Sequence, residues 1–116
     1  MSSPIGSSAI DLAHLARQTG GDRALERELL TLFAGQCSLH LRTIHASADR
    51  RERMDAAHTL KGAARAVGAW QVAEAAGRVE EALAGPRDEP GDAALDALAL
   101  AAAEARAAIA RLEPAA

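Results

Sequence analysis

Tyrosine is absent, and the only aromatic residues are Phe33 and Trp70. Val, Ile and Thr together number 11 in 116 residues. That is too few to furnish the strands of a sandwich, a barrel or a doubly wound sheet. One cysteine, Cys37, rules out an internal disulfide and any zinc-finger spacing, and a reducing cytoplasm is the expected compartment. No run of about 18 apolar residues is free of charge. The alanine-rich stretch 93–110 is broken by Asp96, Glu104 and Arg106, so no membrane span is expected. The first eight residues carry neither a basic nor an apolar segment, and no signal peptide is expected there. A net charge of −3 leaves no electrostatic footprint for nucleic acid. Lysine is nearly missing: twelve arginines accompany the single Lys61.

What is abundant is alanine, 31 residues of it. Alanine is the best helix former and lets helices approach closely. The length suits one domain, expected over 9–113 between a flexible N-terminal tail, 1–8, and a short C-terminal tail, 114–116. Punctuation divides it into five helices. The first is expected from Ala9 to Gln18, with Ser8 and Asp11 at capping-box spacing and Gly20-Gly21 as the stop. The second runs from Asp22 to Ala46, with an apolar stripe through Leu25, Leu29, Leu32, Gln36, Leu39 or His40, and Ile44, widened by Phe33 and Leu41. The third runs from Arg50 to Val67 on Met54, Ala57, Leu60, Ala64 and Val67, and Gly68 ends it. The fourth, Trp70 to Ala84, is built on Val72, Ala76, Val79 and Leu83. The fifth, Asp92 to Leu112, has a bundle seam at Leu95, Leu98, Ala102, Ala105, Ile109 and Leu112. Four amphipathic helices with short connections predict an all-α, antiparallel four-helix bundle with a short additional N-terminal helix. Such helices can bury one another's seams, so a monomer is expected.

The segment Ala57-His58-Thr59-Leu60-Lys61-Gly62 concentrates the chemistry. On a helical wheel Ala57, Leu60, Ala64 and Val67 face one side, while His58, Lys61, Gly62 and Arg65 group on the other. A histidine is thus presented outward, with cations one and two turns away. Neighbouring cations favour the neutral, nucleophilic imidazole by like-charge repulsion. Mid-helix glycine costs about 1 kcal/mol relative to alanine. In so alanine-rich a chain, Gly62 calls for a reason, and clearance for a partner beside the ring supplies one. Cys37 and His40 share a helix face, but no second ligand pair has suitable spacing, so no metal site is expected. Cys37 reads as a small core residue, Trp70 as a packing residue at the bundle end, and the Arg50-Arg51-Glu52-Arg53 run as a solvated helix start.

The motif His58-x-Leu60-Lys61-Gly62, with Gly68 six residues on, resembles that of histidine-containing phosphotransfer (HPt) domains of bacterial phosphorelays. Glu28-Leu29-Leu30 followed by Phe33, and Val79-Glu80 where the family usually has Leu-Glu, extend the similarity over roughly 9–112. The resemblance implies that His58 accepts a phosphoryl group from a receiver-domain aspartate and passes it to another receiver. Lys61 and Arg65 would stabilise the phosphate, Gly62 would give the receiver room, and Gly68 would allow the turn. It implies response-regulator receivers and a hybrid sensor histidine kinase as partners. It also implies no cofactor on this chain, Mg²⁺ held by the receiver, and no autonomous kinase activity, since the chain has no nucleotide loop. Arg51, Asp55, Thr59 and Arg65, with Leu39 or His40 from the preceding helix, are the expected docking residues. The alternatives are an unphosphorylated docking or inhibitor module, which would be expected to lack the histidine whereas this chain keeps His58 and Lys61, or a structural helical adaptor, which has no reason to place a mid-helix glycine beside His-x-x-Lys.

Overall fold

The computed structural model describes residues 9–86 and 90–112. Among them are five helices and no strand: α1 (Leu12–Thr19), α2 (Arg23–Ala46), α3 (Arg50–Val67), α4 (Trp70–Ala84) and α5 (Asp92–Leu112). The expected tails, 1–8 and 114–116, and the Ser8 cap lie outside the described residues.

Each long helix packs on its sequence neighbour, and α5 returns to α2, closing a four-helix ring. The connections between α2, α3 and α4 are two or three residues, too short for anything but a reversal of direction. The core holds Phe33, Ile44, Leu60, Val72, Val79, Leu83 and Leu98, all essentially inaccessible. Each such side chain contributes about 1.5–3 kcal/mol by leaving water. Elsewhere the buried faces are alanine: Ala57 and Ala64 on α3, Ala73 and Ala76 on α4, Ala102 and Ala105 on α5. Small side chains let axes come close, and α3 with α4 forms the most extensive pair. That closeness positions the site.

The caps follow from side-chain chemistry. Asp22 accepts from the Leu25 amide and Asp49 from those of Arg51 and Glu52. Glu52 does not close a capping box on Asp49. It accepts from the Ser47 hydroxyl at 2.8 Å, and that hydroxyl oxygen accepts from the Asp49 amide. The first helix starts later than expected, because Asp11 is its N-cap and not its third residue. Ala9 and Ile10 precede it as buried chain. Asp11 also accepts from the Trp70 indole at 2.9 Å, and its amide donates to the Gly68 carbonyl at 2.9 Å. The indole bond foremost, and then the His14 amide that this carboxylate caps, hold the Asp11 carboxyl below the usual carboxylate range. One residue thus ties α1 to the α3–α4 turn.

Two expectations need correction. Arg50 and Arg53 are not merely solvated. They donate to the Leu83 and Ile44 carbonyls at 2.7 Å each, satisfying the C-terminal turns of α4 and α2. The buried seam of α2 also lies elsewhere: it runs through Leu30, Phe33, Cys37 and Ile44, with Leu29 and Leu41 partly buried. Leu25, Leu32 and Leu39 point out. Cys37 fills a seam position, and burial pushes its thiol up to about 11, so it is a packing residue with little thiolate at neutral pH.

Candidate functional site

The site is built on α3. Its buried residues, Ala57, Leu60, Ala64 and Val67, fix the helix's rotation. His58 lies about 200° around the wheel from Leu60, and its side chain is 68% exposed. Across the tight α3–α4 contact, Glu80 reaches back from α4. Its Oε2 lies 2.8 Å from His58 Nδ1, and its Oε1 lies 2.8 Å from Lys61 Nζ. One carboxylate therefore joins the imidazole and the ammonium. The hydrogen bond from Lys61, aided by that from His58, holds Glu80 below the ordinary carboxylate range against a smaller effect of burial.

This corrects the expected electrostatics. The charge nearest the ring is a carboxylate, and Lys61 is committed to that same carboxylate. An ionised carboxylate only accepts hydrogen bonds, so a neutral His58 carries its proton on Nδ1 and its lone pair on Nε2. Nε2 has no partner among the described residues. The lysine stem crosses α4 at Gly77, where a Cβ would stand 3.4 Å from Lys61 Cδ. Glu80 and Gly77 are the residues that sequence reasoning left without a role. The Val79-Glu80 match was the one available signal, and it pointed at Glu80 without saying what it held.

Arg65 lies two turns beyond His58, exposed and without a hydrogen bond or ion pair among the described residues. It lines a shallow groove of about 320 Å³ between α3 and α4 with Lys61, Glu74, Gly77 and Arg78. At Gly62 a Cβ would meet nothing within 4 Å. Gly68 caps α3 in the left-handed conformation, φ 80°, its amide directed at the Ala64 and Arg65 carbonyls. Asp55 and Thr59 meet Leu39, His40 and Thr43 in an open groove of about 350 Å³ between α2 and α3. Arg51 does not line that groove. Burial lowers His40 from the ordinary imidazole range, which keeps the ring neutral at pH 7. His14 packs edge-on against Trp70, with ring centroids 4.8 Å apart. Among the described residues no three His, Cys, Asp or Glu side chains gather into a metal-ligand set, and no helix is long and apolar enough to cross a membrane.

Neither curated proteins nor solved structures gave a match to the chain. A family model described as "Hpt domain" matches residues 28–114. That span takes in α3, α4 and α5 whole and most of α2, leaving out only α1 and the first turn of α2. It contains His58, Lys61 and Glu80 together with the packing that joins them, and on that match the chain belongs to the Hpt domain family.

Proposed function

We propose that this protein is a histidine phosphocarrier, taking a phosphoryl group from the aspartyl phosphate of one receiver domain and passing it to another. The observation that carries the reading is the bond between His58 Nδ1 and Glu80. With the proton fixed on Nδ1, the Nε2 lone pair attacks phosphorus, the P–O bond to the receiver's aspartate breaks, and the aspartate leaves as a carboxylate. The Nδ1 proton stays, so the phosphorylated ring is an imidazolium, and Glu80 faces its positive charge. Lys61, held on the same carboxylate, stands beside the ring as the compact cation for phosphate oxygens. Arg65 adds a forked donor farther along the helix. Transfer of this kind is mostly positioning and charge stabilisation, which suits a small bundle.

The partners in this reading are response-regulator receivers and a hybrid sensor kinase. The divalent cation belongs to the receiver, and the chain has no kinase activity of its own. The bundle from 9 to 113 is the functional unit, and its one buried thiol suits a cytoplasmic setting. Incubation with a phosphorylated receiver tests the reading. Acid-labile, alkali-stable label on this chain is expected, and failure to take label from any receiver of the same cell would refute it.

Gly62 gives a second prediction. Nothing among the described residues occupies the space its Cβ would take, so their packing does not require glycine there. Gly62→Ala should raise stability by up to about 1 kcal/mol. Gly62→Gln should leave the fold intact yet slow transfer roughly tenfold or more, equivalent to at least about 1.4 kcal/mol of barrier. Urea unfolding and transfer kinetics on the same samples check it, and unchanged transfer in Gly62→Gln would remove the clearance role.

A further inference from the structure

The outward face of α2 is not that of an ordinary surface helix. Leu25, Leu32 and Leu39 are 37%, 60% and 54% exposed and follow one another at seven-residue steps. Between them stand Glu28 and Gly35, with Arg42 beyond, all exposed. The series from Leu25 to Arg42 steps by 3, 4, 3, 4 and 3 residues, the spacing of a two-helix seam. The bundle does not use it, because the core lies on the opposite side of α2, at Leu30, Phe33, Cys37 and Ile44.

The charges on this seam select its occupant. Glu28 and Arg42 lie one heptad either side of Gly35, and neither has a hydrogen bond or ion pair among the described residues. A second copy laid antiparallel about a two-fold axis near Gly35 sets Glu28 of each copy beside Arg42 of the other. A parallel copy would set like charge against like. At Gly35 a Cβ would meet nothing within 4 Å, so the backbones can approach there and Leu32 of one copy can seat over Gly35 of the other. We propose that the chain self-associates through α2 as an antiparallel dimer, with Leu25, Leu32 and Leu39 in the seam and two Glu28–Arg42 pairs closing it. This departs from the monomer expected of four helices that bury one another's seams. His58 bonds to α4, on the far side of α3 from α2, so the ring stays accessible in the dimer. One helix face lies at the small end of specific interfaces, and the dissociation constant is expected on the order of tens of micromolar.

Sedimentation equilibrium of the full chain at low salt, from about 10 μM to about 1 mM to bracket that affinity, is the test. The average mass should rise from 12.0 kDa toward twice that value. Leu32→Glu should stay at 12.0 kDa throughout with unchanged helical circular dichroism, since the side chain it replaces is 60% exposed. Glu28→Arg and Arg42→Glu should each weaken association roughly tenfold by setting like charges together, and the double exchange should restore it. A wild-type mass fixed at 12.0 kDa overturns the proposal, as does association that survives Leu32→Glu. A double exchange no better than the single ones overturns the antiparallel register. If Leu32→Glu slows only transfer from a receiver while the wild type stays at the single-chain mass, the receiver is the occupant and the dimer is refuted.

Discussion

His58→Gln is expected to take no phosphoryl label from a receiver that labels the wild-type chain, while His14→Gln and His45→Gln label as before. Glutamine keeps a polar side chain of similar reach that can still donate to Glu80, and the position is exposed, so the bundle should survive. What is lost is the nucleophilic ring nitrogen. The effect should reach assay background, roughly a thousandfold or more, or at least about 4 kcal/mol of barrier. The other histidines make useful controls because their surroundings differ. His14 is packed on Trp70. His45 is exposed at the end of α2 with no carboxylate bonded to its ring. His40 lines the α2–α3 groove, so its replacement can slow docking without abolishing label. Label retained in His58→Gln would overturn the assignment of the acceptor, whatever the family.

The second large effect falls on stability. Gly68→Ala should cost about 3 kcal/mol, from about 1–2 kcal/mol for a left-handed residue plus a steric term. The steric term has a definite source: a Cβ at Gly68 would stand 2.9 Å from the Asp11 carbonyl oxygen and 3.0 Å from Asp11 Cβ. Both atoms belong to the backbone or its root, so relief requires moving the start of α1. The Asp11–Gly68 amide bond at 2.9 Å would be lost first, and the Trp70–Asp11 bond is next in line. Gly20 is the internal comparison. It is also left-handed, φ 65°, but has nothing within 4 Å of a Cβ, so Gly20→Ala should cost only about 1–2 kcal/mol. Urea unfolding of the two variants separates conformation from contact, and equal losses would show that the Asp11 contact yields freely.

The helix boundaries were largely legible because their signals are local. Asp22, Asp49, Gly68, Gly85 and the Pro90-Gly91 pair mark the ends of α2 to α5 nearly to the residue. The start of α1 was misplaced because an aspartate serves equally well as an N-cap or as the third helical residue, and Ser8 offered the competing cap. The rotation of α2 was misread for a compositional reason. Leucines occur all around that helix, and a stripe drawn through them passes over Cys37, which the core uses, and includes Leu32, which it does not. His58 and its outward direction were readable from the α3 seam. The role of Glu80 was not, because it depends on two helices separated by a turn and packed at alanine distance, and no single-helix pattern carries that information.

The central claim is that Glu80 holds His58 by Nδ1 and so assigns the chemistry to Nε2. Heteronuclear NMR of the ¹⁵N-labelled chain, phosphorylated by a receiver, reads this directly from phosphorus–nitrogen coupling. One phosphohistidine is expected, at His58, with phosphorus on Nε2 and a proton retained on Nδ1. Phosphorus on Nδ1, or on any other histidine, would contradict it.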